Sequence, residues 1–395
     1  MAEIYGGVLE MKILHICLCG PVTDNWNYQD NLLTKYHKKL GHDVIIITSK
    51  WVWNELGALV TTEKTDYTND DGVRVIRLPL KGSADFYKKF KKYENLYENI
   101  KMIEPEIIFV HGCQFLDIKY ISKYAILNPK VKIFVDNHAD FTNSASNWLS
   151  REVLHKIIWR NCAKMIEPHT TKFYGVLPAR VDFLIDIYKI PEEKVELLVM
   201  GADDEKVIEA KSLDNRTEIR EKYDISPEDF LIMTGGKIDN NKKQTLLLME
   251  AVKQLKRDNV KLIVFGSVTE ELKNDLEKLC DGKQVQHIGW VTADDSYNYF
   301  SSADLVVFPG KHSVFWEQVV GLGIPSIFNF LNGATHVDVG GNCRFLYDDS
   351  VEEISTVMQN IIENPQILKD MKHIAEVNGM KSFSYLEIAK RSISY

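Results

Sequence analysis

Phe230-Leu231-Ile232-Met233-Thr234-Gly235-Gly236-Lys237-Ile238-Asp239-Asn240-Asn241-Lys242 decides the fold of the chain around it. The apolar run Phe230–Thr234 reads as a buried strand, and the pattern over Thr245–Arg257 reads as an amphipathic helix. Only a short glycine turn separates them, which marks a βα unit on a parallel sheet. Glycines there let backbone N–H groups approach a phosphate, and the helix N-terminus adds positive potential. Lys237 and Lys242, five residues apart, can both reach one diphosphate. The same residues equally suit a tight turn with two solvated lysines, and the turn alone supports either reading.

The alternation continues in both directions. Toward the C-terminus, strands are predicted at Val260–Phe265, Val285–Ile288, Leu305–Phe308, Ser326–Phe328 and Cys343–Leu346. Helices between them are predicted at Glu270–Cys280, Asp294–Ser301, Glu317–Gly321 and Val351–Glu363. Toward the N-terminus, strands are predicted at Lys12–Leu18, Asp43–Thr48, Val73–Leu78, Ile107–His111, Val131–Val135, Met165–Pro168 and Val195–Met200. A helix over Tyr28–Leu40 is closed by Gly41, a residue suited to the position after a helix end. Asp204–Asp229 is polar and strand-poor, so the domain boundary is placed at its start. The expected architecture is α/β: two Rossmann-like α/β/α domains, residues 11–203 and 204–380, followed by a last helix in 381–395. Residues 1–10 precede a second methionine, Met11, and read as a leader or extension. In such sheets the default ligand site is a cleft faced by the C-terminal strand ends.

Composition narrows the function. A chain of 395 residues is long for a single core and suits two domains. No apolar run reaches the ~20 residues that span a bilayer, and no secretory apolar segment stands near the start, so a cytoplasmic protein is expected. Cysteines 17, 19, 113, 162, 280 and 343 form no CxxC pair and read as buried reduced thiols, not as a disulfide frame or zinc site. Residues 1–200 sum to +1 and residues 201–395 to −9, together the net −8. That balance excludes non-specific nucleic-acid binding and makes the first half the better match to an anionic surface.

A second constellation is Phe308-Pro309-Gly310-Lys311-His312-Ser313-Val314-Phe315-Trp316-Glu317-Gln318, again a strand, a turn and a helix start. His312, Ser313 and an acid there suit ribose and phosphate recognition; an aromatic-rich packed turn whose acid caps a helix is the plainer alternative. In the first half, Asp136-Asn137-His138-Ala139-Asp140 ends a strand with two acids and a histidine. The alternation Asp136, His138, Asp140 is compatible with a metal. No second cluster completes it and the chain has no D-x-D motif, so no metal is expected.

In order along the chain, these segments resemble the GT-B glycosyltransferases of the retaining family numbered four. Gly41-His42-Asp43-Val44 is similar to the family's GHEV segment, Glu104–Gly112 to its KPDIIHVHG strand, and Val199-Met200-Gly201-Ala202-Asp203 to its PNGVD element. Gly236-Lys237 with Lys242 resembles the diphosphate pair, with Lys237 in place of Arg. Gly289-Trp290-Val291 resembles the base-contacting segment, Ala303–Pro309 the ADVFVLPS strand, and Phe383–Ala389 the last helix, which in the family crosses back onto the N-domain. The loop Cys19–Trp26 resembles the glycine loop between both substrates, with Gly20 alone where a double glycine is usual. The resemblance also places His138 near the donor sugar and Asp140 near the acceptor mouth; for His138, capping of the next helix is the structural alternative. The family's E-x7-E pattern is altered. Counting seven back from Pro325 gives Gln318, and eight further back gives Gly310. Glu317 and Gln318 are therefore rivals for the ribose, with Glu317 expected because a carboxylate holds hydroxyls more strongly than an amide does. Gly310, His312 and Ser313 are left to contact the donor sugar.

The resemblance implies transfer of a hexosyl or N-acetylhexosaminyl group from a nucleotide diphosphate sugar, UDP-linked, to a glycan or lipid-linked glycan, with retention. Neither metal nor other cofactor is expected; Lys237, Lys242 and the helix N-terminus would stabilise the leaving diphosphate. Two other readings are a nucleotide-sugar epimerase of the same fold and a catalytically silent partner protein. Phe86-Tyr87-Lys88-Lys89-Phe90-Lys91-Lys92-Tyr93 interleaves lysines and aromatics at helical spacing. It suits peripheral binding at the inner, anionic face of a cell membrane, or an ordinary surface helix whose aromatics pack on the sheet.

Overall fold

Lys12–Cys17 (β1) lies at the centre of a sheet that grows outward from it in both directions, in a computed structural model that describes residues 10–54, 58–82, 90–141, 143–145, 147–240 and 242–395. The chain divides into two compact units, Met1–Val199 with Leu386–Tyr395, and Met200–Tyr385.

In the first unit, β1 leads through α1 (Gln29–Lys39) to β2 (Asp43–Ser49). The short strands β3 (Trp51–Trp53) and β4 (Leu59–Thr61) pair only with each other, and β5 (Asp66–Thr68) and β6 (Arg74–Leu78) extend the sheet on the β2 side. The chain then crosses to the other side of β1. There α2 (Leu96–Ile103), β7 (Ile107–His111), α3 (Ile118–Leu127), β8 (Lys132–Asn137), α4 (Arg160–Ile166), β9 (Thr170–Gly175), α5 (Pro178–Asp186) and β10 (Val195–Leu197) follow. The strand order is β10-β9-β8-β7-β1-β2-β6-β5, parallel except for the β5–β6 pair. Its central strands are near-continuous Ile, Leu and Val because helices cover both faces. The order reverses between β1 and β7, which leaves a crevice beyond their C-terminal ends.

The second unit opens with α6 (Asp204–Ala210) and α7 (Leu213–Lys222). Strands β11 (Phe230–Gly235), β12 (Val260–Phe265), β13 (Val285–His287), β14 (Leu305–Phe308), β15 (Ser326–Asn329) and β16 (Cys343–Leu346) alternate with α8 (Gln244–Gln254), α9 (Glu270–Leu279), α10 (Asp295–Ser301) and α11 (Phe315–Gly321). Their order, β13-β12-β11-β14-β15-β16, is parallel throughout and switches direction between β11 and β14. After β16 come α12 (Val351–Glu363), α13 (Pro365–Phe383) and α14 (Tyr385–Ser392). Helix α13 passes so close to α11 that a Cβ at Gly379 would lie 2.1 Å from the Val320 carbonyl oxygen.

Two expectations need correction. Met165–Pro168 is not a strand: Lys164-Met165-Ile166 is the last turn of α4, with Met165 45% exposed and Ile166 buried. The strand is Thr170–Gly175, whose polar Thr-Thr-Lys start hides it from an apolar-run search, although Thr170 is buried and donates to the Ile166 carbonyl at 2.9 Å. Met200–Asp203, read as the close of the first domain, is counted with the second unit. Ala202 N–H donates to Phe383 O at 2.7 Å, and Tyr385 N–H donates to Ala202 O at 3.3 Å, so this segment pairs with the end of α13. All six cysteines are free thiols, four of them buried. Among the described residues no helix is long and apolar enough to cross a membrane.

Candidate active site

In the second unit the turn after β11 is built from backbone. Gly236 N–H donates to Phe265 O at 3.0 Å, and Gly266 N–H donates to Gly289 O at 2.7 Å, so three neighbouring strand ends are tied together. Gly266 has φ +128°, and a Cβ on it would fall 2.0 Å from Gly236 O; no other residue type fits. Beside this turn Thr234, Gly236, Lys237, Lys242, Lys311 and Ser313 line a hollow at the β11/β14 switch point. Lys237 is largely exposed and lies 3.7 Å from Asp239. Lys242 is held below the usual lysine range, first by burial and then by Lys237 and Lys311, against the pull of Asp239. Three ammonium groups converging on one hollow repel each other in the absence of an anion. An anion there would relieve all three.

The turn after β14 carries the second cluster. Glu317, on α11, is completely buried, and its Oε1 accepts from His312 Nε2 and His336 Nε2, both at 2.8 Å. Burial would raise this carboxyl, but His312 and His336 outweigh it and bring it down to about 2. Its Oε2 has no hydrogen-bond partner among the described residues. Gln318, one residue on, turns away and donates to Ser296 Oγ at 2.8 Å. Neither rival for the ribose is open to solvent, because α11 is buried from Trp316 to Gly321. Glu317 Oε2 is a buried oxygen left without a partner among the described residues. A Cβ on Gly310 would meet Lys242 and Gln244, whereas one on Gly289 would meet nothing within 4 Å, and Trp290 is 65% exposed. Val291 and Ser313 are half-buried.

In the first unit, Asp136, next to last in β8, is fully buried. Its Oδ2 lies 2.9 Å from His111 Nδ1 and 3.2 Å from His138 Nε2, and accepts from Gln29 Nε2 at 3.0 Å. His138 is 41% exposed on its side chain, and no helix starts directly after it, so the capping alternative drops out. The grouping read from sequence is corrected. Asp140 turns away to Arg180 Nε at 3.0 Å, and His111 takes its place because the parallel register sets it beside Asp136. Donor atoms do converge in His111–Asp136–His138 and in His312–Glu317–His336. Each trio sets a carboxylate between two imidazoles, with Asp136 Oδ1 and Glu317 Oε2 left without a partner among the described residues. Gly20 is exposed, and a Cβ on it would meet nothing within 4 Å, so only an approaching ligand would require glycine there.

Of residues 86–93, Phe86–Lys89 lie outside the described residues. Phe90 packs on the core and Tyr93 is buried, its hydroxyl donating to Leu18 O at 2.9 Å, while Lys91 donates to Cys19 O. These two aromatics therefore belong to the interior and not to a membrane-facing stripe. Sequence reasoning also passed over Lys311, His336, His15, His37 and His111. The two strand histidines carried a signal, since His15 and His111 follow apolar residues in KILHIC and IIFVH.

Residues 215–377, which include both turns of the second unit, match the family described as Glycosyl transferases group 1. The uncharacterized glycosyltransferase MJ1607 of Methanocaldococcus jannaschii is 22% identical over 218 residues, 53% of this chain and 55% of that protein. The match thus spans about half the length of this curated relative. Among solved structures, a glycosyltransferase from Rickettsia africae has a TM-score of 0.69 at 16% identity, covering 97% of each chain. HepE of Anabaena, in complex with UDP, has a TM-score of 0.68 at 14% identity, covering 96% of this chain and 98% of its own. The chain has the GT-B fold.

Proposed function

We propose that the chain is a glycosyltransferase that takes a hexosyl or N-acetylhexosaminyl group from a UDP-linked donor and passes it to a glycan or lipid-linked glycan, with retention and without metal. The observation that carries this reading is the lysine-lined turn at the β11/β14 switch point, which lies inside the group 1 segment. The similar fold of HepE in complex with UDP supports the choice of base.

In this reading Lys237, Lys242 and Lys311 take the diphosphate, together with backbone N–H groups of the Gly235-Gly236 turn and the start of α8. Positive charge that is already in place stabilises the departing nucleotide without reorganisation. Glu317 takes a ribose hydroxyl through Oε2, which is closed from solvent here and is uncovered on binding, and Gly289, Trp290 and Val291 flank the base. Gly310, His312 and Ser313 contact the sugar. In the first unit, His138 is an exposed polar group assigned to sugar contact, and Gly20 admits close approach of a ligand. Asp140 shapes the acceptor mouth through Arg180, its carboxylate being already paired.

Calorimetry with UDP and GDP, followed by donor hydrolysis over a panel of nucleotide sugars with and without EDTA, tests the proposal. UDP binding and EDTA-resistant hydrolysis of one UDP-sugar are expected. Binding of neither nucleotide would overturn it in favour of a silent partner.

A further inference from the structure

We propose that His15, His37 and His111 form a buried one-way hydrogen-bond relay, running from Asp136 to the Ala389 carbonyl, by which the Leu386–Tyr395 segment positions the ring of His138. The link to catalysis rests on the role given to His138 above.

The chain of contacts is continuous. His111 Nδ1 faces Asp136 Oδ2 at 2.9 Å and Asp30 Oδ1 at 3.2 Å. His111 Nε2 meets His15 Nδ1 at 3.0 Å, and His15 Nε2 meets His37 Nδ1 at 2.9 Å. His37 Nε2 ends the series at Ala389 O, 3.1 Å, and Ser392 Oγ, 2.9 Å. All three rings are buried.

Direction follows from the ends. The Ser392 hydroxyl donates to Ala389 O at 2.8 Å, so Ser392 Oγ and the carbonyl can both only accept from His37. His37 therefore carries its proton on Nε2 and accepts at Nδ1 from His15 Nε2–H. His15 in turn accepts at Nδ1 from His111 Nε2–H. The other nitrogen of His111, Nδ1, faces two carboxylates as a close charge contact outside hydrogen-bond geometry, where a proton is favoured over a lone pair. His111 is thus protonated on both nitrogens while His15 and His37 are neutral.

The surroundings agree. His15 is held well below the ordinary value by burial, His37 and His111, and His37 down to about 3 by burial and its histidine neighbours, against Ala389. For His111 burial is outweighed by Asp136 and Asp30, and the balance is upward. The groups facing the relay are Cys17 on β1, Asp30 on α1, His42 at the start of β2, and Asp136 and His138 at the end of β8. The imidazolium of His111 keeps Asp136 ionised, and Asp136 then fixes His138 with its proton on Nε2. The His138 Nδ1 lone pair is left to the exposed side of the ring.

Nitrogen-15 NMR of the histidine-labelled full chain reads this directly. Expected are two protonated nitrogens on His111 and Nε2–H on His15, His37 and His138. In His37→Phe, His15 loses its acceptor and turns its proton toward His111, whose midpoint drops by about one pH unit or more. The His138 signals then mix tautomers, and kcat for donor hydrolysis falls about tenfold or more with KM little changed. His37→Gln, whose amide can also donate to Ala389, restores the His111 and His138 signals. A neutral His111 in the wild type, or unmoved His111 and His138 signals in His37→Phe, would overturn the relay. If the wild-type pattern holds but no nucleotide sugar is bound, the relay stands and the proposed function falls.

Discussion

His111 and Asp136 are register partners on adjacent parallel strands, and their side chains meet at 2.9 Å with no route to solvent for the carboxylate. Glu317 has the same surroundings in the second unit, an oxygen set between two imidazoles. Buried carboxylates of this kind are stable only while paired, and their contribution depends on pH.

The Asp136 carboxyl is pushed far below its usual range by His111 and His138 despite burial, and His111 is raised. A depressed acid contributes stability above its unfolded value, ~3.9, that is lost as pH falls. A raised histidine contributes below its unfolded value, ~6.5, and the contribution is lost as pH rises through the folded value. Stability from the pair should therefore decline on both sides of weak acidity. Urea midpoints from pH 2 to pH 9 check this. Asp136→Asn should cost roughly 3–5 kcal/mol at pH 6 and flatten both limbs.

Glu317, at about 2, should stabilise the second unit above its unfolded value near ~4.3 and lose that contribution between there and about pH 2. Glu317→Gln is expected to remove this acid limb and to destabilise by about 1–3 kcal/mol at pH 7. An acid limb unchanged in the variant, followed by tryptophan fluorescence, would contradict it.

Lys237→Ala and Lys242→Ala should each weaken UDP binding about tenfold or more, since a charge-assisted contact is worth ~1.5–3 kcal/mol. Melting temperatures should stay level or rise slightly, because removing one ammonium relieves the repulsion at Lys242. Unchanged UDP affinity in both variants would defeat the diphosphate assignment.

Gln318→Ala should behave as a loss of packing, costing about 1–3 kcal/mol, since Ser296 Oγ loses the amide it accepts from while keeping its own bond to Ala293 O, with UDP affinity intact. Glu317→Ala should lose UDP affinity. The reverse pattern in calorimetry would give the ribose contact to Gln318.

Gly266→Ala is expected to destabilise the second unit by more than ~1 kcal/mol and to abolish UDP binding together. The new Cβ would strike Gly236 O, so the phosphate turn must open. Denaturation and calorimetry on the same sample check that both effects appear.

The alternation of strand and helix, the glycine turn at 235–236 and the lysines beside it were legible in the sequence, because each depends on residues close together in the chain. Periodicity failed at Thr170–Gly175, where tertiary burial overrides a polar start. The histidines were visible as oddities in apolar strands, yet no local pattern joins His15 to His111 across 96 positions or His37 to Ser392 across 355. Those pairings depend on strand order and register, since a slip of one residue would turn His111 to the other face of the sheet. The same holds for Glu317. Its place in a short helix could be read from spacing, but that it faces His336, and that Gln318 faces Ser296, was decided only when α11 packed between its neighbours.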